Sequence, residues 1–311
     1  MNKKLFLEKI STNFPFSFTK EQEKIINELS DYILSTSTRN IFLLKGYAGT
    51  GKTTLISALV KSLSSVNKKP SLLAPTGRAA KVLANYAKKS ASTIHRKIYW
   101  INTNKQGNTY IKLKENTHTN TIFIVDEASM IPKSSDKGFA NRSLLDDLIE
   151  YVYDGIACKL ILIGDTAQLP PVHLDISPAL NEALLTINYN KEIICASLVE
   201  VVRQIKSSTI LLNATRIRKQ ISNQQFHFPQ LETNEDVIRI QSVDELQGYL
   251  EDNYSQSGIA NTIVLCRSNK RANIYNQQIR SRIRYIEEEI VNGDLLMVVK
   301  NNYFWLGDKN Q

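Results

Sequence analysis

The stretch GYAGTGKTT, Gly46 to Thr54, follows the apolar run Ile41, Phe42, Leu43 and Leu44, and it precedes Leu55, Leu59 and Leu63 at helical spacing. It fits G-x-x-x-x-G-K-[ST] with Gly46, Gly51, Lys52 and Thr53 in the fixed positions. A buried strand, a glycine-rich turn and a helix, in that order, form the setting in which such a loop binds phosphate. Gly46, Ala48, Gly49, Thr50 and Gly51 are small enough for the backbone to curl so that successive N–H groups aim at phosphate oxygens. The positive end of the following helix adds to that field. Lys52 is expected to reach the β- and γ-phosphates, Thr53 to ligate Mg²⁺ through its hydroxyl, and Thr54 to complete the loop.

Two further apolar runs end in polar groups of the matching kind. TIFIV, Thr121 to Val125, delivers Asp126 and Glu127. A carboxylate at the end of a hydrophobic strand is suited to hold Mg²⁺, and its neighbour can take the proton of an attacking water, so Asp126 is assigned to the metal and Glu127 to the base. KLILI, Lys159 to Ile163, runs into GDTAQLPPV, where the amide of Gln168 can meet the γ-phosphate or the water. Between these runs SLLDDLIEYV reads as a crossover helix with Leu144, Leu145, Leu148, Ile149 and Val152 on its buried side. Repeated strand–helix–strand units predict an α/β fold with a parallel sheet and ligands at the carboxyl ends of its strands.

The chain of 311 residues exceeds the length of a usual single core, so two units are expected. No apolar run approaches the roughly 20 residues that span a bilayer, and Glu8 and Lys9 interrupt the first apolar stretch too early for a signal peptide, which predicts a cytoplasmic protein without a membrane partner. Cys158, Cys195 and Cys266 lie in apolar contexts with no metal-ligand spacing, as do the histidines, and read as buried thiols. Lys and Arg outnumber Asp and Glu 39 to 30, a net charge of +9, which favours a polyanionic partner without specifying one.

Taken in order, the motifs resemble those of the superfamily 1, class B DNA helicases of the RecD/Dda-like group. FTKEQEKII, Phe18 to Ile26, resembles that group's Q motif, whose glutamine, here Gln22, would hydrogen-bond adenine. GYAGTGKTT stands as the Walker A motif, LLAPTGRAAKVL (72–83) as motif Ia, STIHR (92–96) as the next DNA-contacting motif, VDEASM (125–130) as motif II, GDTAQLPPV (164–172) as motif III and LVEVVRQ (198–204) as motif IV. The resemblance implies a P-loop NTPase with a RecA-like domain 1A over residues 1–205, a small 1B β-hairpin insertion at about 96–118, a helix and linker at 206–235, and a partial second RecA-like domain 2A at 236–311. It further implies ATP and Mg²⁺ as cofactors, single-stranded DNA or a DNA fork as partner, 5′ to 3′ movement, and a monomer that works with replication or recombination proteins.

The resemblance assigns DNA contacts to Pro75, Thr76, Gly77, Thr93 and His95, and free N–H groups and hydroxyls at helix starts suit phosphate. Ordinary helix capping is the other reading of Thr76 and Thr93. Arg203 resembles the motif IV arginine that faces the γ-phosphate, against a surface arginine paired with Glu200. Residues 97–114 read as a hairpin turning at 105–108, with Tyr99, Trp100 and Tyr110 as stacking faces of a strand-separating pin or as a hairpin packed on domain 1A. In the second unit VIRI (237–240) and TIVLCRS (262–268) read as strands, and Ser268 and Asn269 as DNA-facing groups or a solvated loop. Asn276 and Arg280 resemble an N-x-x-x-R pair of the family. Sequences like motifs V and VI do not occur after residue 293, so the resemblance implies a partial 2A. An ATP-driven motor is therefore the leading expectation, and a nucleotide- and DNA-binding unit without turnover is the alternative.

Overall fold

The computed structural model describes residues 2–103, 109–132, 143–172, 174–202, 208–225 and 227–296. The chain divides into two units, residues 1–205 and 206–302. In the first, the elements run α1 (Lys3–Asn13), α2 (Lys20–Leu34), β1 (Asn40–Gly46), α3 (Lys52–Ser62), β2 (Lys69–Ala74), α4 (Gly77–Ala87), β3 (Ala91–Thr93), α5 (Ile94–Ile98), β4 (Tyr99–Thr103), β5 (Thr109–Leu113), β6 (Thr121–Val125), α6 (Leu144–Asp154), β7 (Lys159–Gly164), α7 (Glu182–Tyr189) and β8 (Glu192–Leu198).

Six strands form a sheet in the order β3-β2-β6-β7-β1-β8, and every neighbouring pair is parallel. Burial on both faces explains the apolar runs that mark β1, β6 and β7. Along β1 the side chains alternate: Phe42 and Leu44 enter a core with α1, α2, α3 and α4, whereas Ile41 and Leu43 enter a second core with α5, α6 and α7. Each fully buried side chain of this size contributes about 1.5–3 kcal/mol to burial, so a one-residue slip of β1 would exchange its two apolar sets between unlike cores. Helix α1 was not expected from the sequence. Its Phe6 and Ile10 are buried in the first core, and Asn13 Nδ2 donates to Ser62 Oγ at 2.9 Å.

Strands β4 and β5 pair antiparallel as a separate ladder, with Tyr99 opposite Leu113 and Thr103 opposite Thr109. The turn expected at 105–108 lies outside the described residues. Tyr99, read as a stacking face, instead turns inward, where its hydroxyl donates to Asp147 Oδ2 at 2.8 Å. Trp100, the next residue, is exposed, with the Lys114 ammonium 4.7 Å from its ring centre.

The second unit holds α8 (Thr209–Ser222), α9 (Val243–Gln256), α10 (Asn269–Gln278) and a π-helical turn at Ile279–Ile283. Strands expected at 237–240 and 262–268 do not form among the described residues. An apolar strand needs a ladder partner and a core; Ile263 and Leu265 are 73% and 87% exposed, and the pairing of this region is confined to a single bridge between Asn234 and Val237. Helix α8 also differs from its expected register, since it buries Thr209 and Asn213 while Ile210 is exposed.

Candidate nucleotide site and strand-end loops

The phosphate loop joins the end of β1 to α3, and its shape follows from its glycines. Gly49 and Gly51 have φ of 83° and 86°, in the left-handed region that side chains disfavour. Gly51 caps α3 without a side-chain acceptor, whereas each other α-helix among the described residues has an Asn, Ser or Thr oxygen on its first-turn N–H groups. Helix α3 thus presents its positive end with no side chain on it, as an anion site requires. Lys52 Nζ donates to the carbonyls of Gly46 and, at 2.8 Å, Tyr47, so the ammonium is folded over the loop it opens. Thr50 Oγ1 donates to Tyr47 O at 2.8 Å and closes the turn from inside.

Gln22 is buried beneath this loop. Its Oε1 accepts from the Thr19 N–H at 3.1 Å, its own N–H donates to Thr19 Oγ1, and its Nε2 donates to Thr50 O at 3.3 Å. It is at once the N3 residue of a capping box on α2 and a strut for the loop. A Cβ at Gly51 would come within 2.9 Å of Gln22 Nε2, a second reason for glycine there.

Asp126 and Glu127 follow β6, directly beside the strand that carries Gln168. The Asp126 N–H donates to Leu73 O at 3.0 Å, which extends the ladder with β2 by one residue, and the Glu127 N–H then donates to Asp126 Oδ1 at 3.0 Å. Glu127 takes φ of 53°, a left-handed conformation costly for a side-chain-bearing residue, and backbone of this kind recurs where a reactive group must be aimed. Burial pushes both carboxyls above the usual carboxylate range, opposed at Asp126 by the Glu127 N–H and the Lys52 charge; at Glu127 the Asp126 charge raises it further, while Lys52 and a hydrogen bond with Gln168 draw it down. Thr53 and Asp126 are the hard oxygen donors that Mg²⁺ takes from a protein when phosphates supply others, and a cation there would relieve the burial cost of the carboxylate.

Two residues that sequence reasoning missed belong to this arrangement. Asp165 follows β7 as Asp126 follows β6; it is buried, its Oδ1 accepts from the Ala167 N–H at 2.8 Å, and its charge adds to the upward push on Glu127. Like Asp126, it is a carboxylate delivered by the end of an apolar strand, so its signal is present in the sequence. Glu21 is the other: one carboxylate oxygen accepts from the Val199 and Glu200 N–H groups, at 2.9 and 3.0 Å, and pins the exit of β8 to α2. Arg203, further along that exit, lies outside the described residues.

On the β2–β3 side, Ala74 pairs with Thr93, so Pro75, Thr76 and Gly77 sit next to Thr93 and His95 although they lie far apart in sequence. Thr76 Oγ1 accepts from the Ala79 N–H at 3.2 Å and Thr93 Oγ1 from the Arg96 N–H at 3.3 Å, so both are helix caps whose O–H remains a donor. A side chain at Gly77 would meet open space. The His95 ring lies 5.8 Å from that of Tyr99. In the second unit Ser268 likewise caps α10, accepting from Arg271 N–H at 3.3 Å, and Asn269 is an exposed first residue of that helix.

A parallel sheet of this strand order, with a phosphate loop leaving β1 and carboxylates leaving β6, defines a P-loop NTPase of RecA-like architecture. The chain belongs to the AAA domain family, whose model matches residues 17–242. It is 30% identical over 154 residues to the ATP-dependent RecD2 DNA helicase of Deinococcus radiodurans, a match covering 50% of this chain and 18% of that protein. It is 26% identical over 263 residues to the ATP-dependent DNA helicase dda of Enterobacteria phage T4, covering 82% and 55% respectively. Among solved structures, the Pif1 helicase from Bacteroides in complex with ADP-AlF3 and ssDNA matches with a TM-score of 0.44 at 19% identity, over 89% of this chain and 58% of that one. These are helicases of the superfamily 1 RecD/Dda/Pif1 type, and the chain spans less than two thirds of the length of each.

Proposed function

We propose that this chain is the ATP-binding part of a DNA-translocating motor that couples ATP hydrolysis to movement on single-stranded DNA. The observation that supports it most is the uncapped start of α3 with Lys52 folded over it, beside the half-buried carboxyls of Asp126 and Glu127. In this reading the loop N–H groups bind the phosphates and Lys52 exchanges its loop carbonyls for β- and γ-phosphate oxygens. Thr53 and Asp126 would hold Mg²⁺, which supplies charge to the phosphates during transfer. Glu127 takes the proton of the attacking water, and Gln168 orients that water while its hydrogen bond favours the ionised form of Glu127. Gln22 retains one N–H and one lone pair beyond its structural bonds for the adenine edge. Arg203 is proposed to face the γ-phosphate from the exit of β8.

DNA phosphates would run along the loops after β2 and β3, met by the free N–H groups and O–H donors of Thr76 and Thr93, with His95 beside them. Ser268 and Asn269 are offered as further contacts from the second unit. Resemblance supports 5′ to 3′ polarity and a monomer, and the early break of the first apolar stretch at Glu8 and Lys9 supports a cytoplasmic site of action; no helix among the described residues is long and apolar enough to cross a membrane. Steady-state ATP hydrolysis, measured with and without oligothymidylate for the wild type and Glu127→Gln, tests the reading. Stimulation by DNA that vanishes in the variant is the expected result. Equal rates in the two proteins would overturn it.

A further inference from the structure

Strand β3 is only three residues long and pairs with β2 over Leu72 to Ala74, which leaves the first half of β2 without a neighbour on that side. Helix α5 folds back over this gap, and a cleft of about 500 Å³ opens beneath it, lined by Lys69, Ser71, Ser92, Arg96, Lys97 and His118 among others. The cleft has a built wall. The His118 N–H donates to Asn116 Oδ1 at 3.0 Å, buried Asn116 donates in turn to the Tyr151 carbonyl at 2.7 Å, and the imidazole stands edge-on to Phe123 at 5.5 Å.

Its charge is of one sign. Among the described residues no carboxylate lines the cleft, and Lys69, Arg96 and Lys97 form no ion pair. Burial, then the charges of Lys97 and Lys69, hold His118 below the usual histidine range; burial and then Lys114 lower Lys97. Cations gathered in a half-buried groove with hydroxyls between them are costly without a bound anion and favourable with one. A peptide strand is a poor occupant of this open edge, because Pro70 offers no N–H to a ladder and Lys69 opposes strand addition. The cleft also continues from the strand-end loop at Thr93 and His95, through Arg96 and Lys97 on the same helix.

We propose that this cleft is a second nucleic-acid site, which holds backbone phosphates of DNA as the strand leaves the carboxyl ends of β2 and β3 and passes down the open edge of the sheet. That the anion is DNA rests on the motor reading above. Lys69, Arg96 and Lys97 supply charge, Ser71 and Ser92 supply O–H donors, and His118 fixes the floor. The site is sequence-independent, since nothing in it is shaped to read a base edge.

The test follows the His118 ring resonances by NMR, assigned with His118→Asn, as oligothymidylate is added to the full chain, with fluorescence anisotropy reporting total binding. The expected result is a saturable shift of His118 in step with anisotropy. In Lys69→Gln/Lys97→Gln the shift is lost, affinity for a long oligonucleotide falls roughly tenfold at low salt, and the log–log salt slope drops by about 1.4 for two lost single-strand phosphate contacts. Basal ATP hydrolysis is unchanged in that variant. DNA binding with a silent His118 would overturn the cleft and leave the motor reading intact, whereas no binding by either readout would overturn both.

Discussion

The Val202 N–H donates to the Gly49 carbonyl at 3.1 Å, so the chain leaving β8 is fastened to the phosphate loop itself. The Tyr47 N–H adds a bond to Leu198 O at 3.3 Å, and between these points Glu21 holds the N–H groups of Val199 and Glu200. A loop that must rearrange around phosphate is therefore tied to the segment that leads toward Arg203, with the first turn of α2 as the anchor.

Removing that anchor should loosen the exit of β8 without emptying the nucleotide site. Glu21→Ala is expected to cost about 1 kcal/mol of stability, the value of a partly exposed charge-assisted bond. It should lower kcat for ATP hydrolysis several-fold while leaving nucleotide affinity within about threefold, a change of roughly 0.65 kcal/mol. Denaturant unfolding and steady-state kinetics give the two numbers, and an unchanged kcat would show that the anchor has no part in turnover.

Lys52→Ala separates binding from folding. The Lys52 ammonium bonds two loop carbonyls, yet in the proposed complex it transfers to phosphate, where the acceptor as well as the donor is ionised. Titration with a fluorescent ATP analogue should show affinity reduced at least tenfold, with a melting temperature close to that of the wild type. Wild-type affinity in the variant would remove Lys52 from the site.

Gly164 is a residue beside the candidate site at which a single methyl group should do harm. A Cβ there would lie 2.8 and 2.9 Å from the two methyl carbons of Leu180 and 3.2 Å from the Ser129 N, at the junction of β7 with the turn that follows Glu127. Gly164→Ala is expected to destabilise by about 1–3 kcal/mol, the usual range for overpacking. Because the displaced turn carries Glu127, hydrolysis should fall further than the folded fraction does, which circular dichroism and activity measured on one sample would reveal.

Lys159 predicts a pH dependence of stability. It is buried at the start of β7, where its Nζ donates to Tyr32 O at 2.6 Å and Ser37 O at 3.0 Å with no carboxylate partner among the described residues, and burial lowers its pKa from 10.5 to about 8. Between those values the unfolded chain binds more protons than the folded one, so stability rises with pH from about 8 toward 10. Below about pH 8 both forms are protonated and the full penalty of the buried charge remains. Unfolding by urea across this range should show the rise, and Lys159→Met should reduce it; a flat wild-type profile would contradict the assignment.

What the sequence made legible was the part of the fold in which local pattern and burial agree. The runs Ile41–Leu44, Ile122–Val125 and Leu160–Ile163 are apolar throughout because both sheet faces are covered, and the groups at their ends are the candidate site. Less legible were groups whose role depends on distant partners. Glu21 looks like a first-turn helix acid until β8 is seen beside it, and His118 sits in a polar stretch with no motif around it. TIVLCRS illustrates the opposite limit: apolar and β-branched residues alone do not make a strand when no ladder partner stands next to them among the described residues.

In a motor, the nucleotide site at β1, β6 and β7 and the strand-end loops at β2 and β3 act as one unit, which makes the binding of their ligands thermodynamically linked. Affinity for a fluorescent ATP analogue with Mg²⁺ is measured in the absence and presence of saturating oligothymidylate, and affinity for the oligonucleotide without and with the nucleotide. A shared motor requires the two ratios to be equal and to differ from one, by about 5-fold or more if the coupling is of ordinary size. Binding of either ligand that ignores the other, or no binding of DNA at all, would contradict the account.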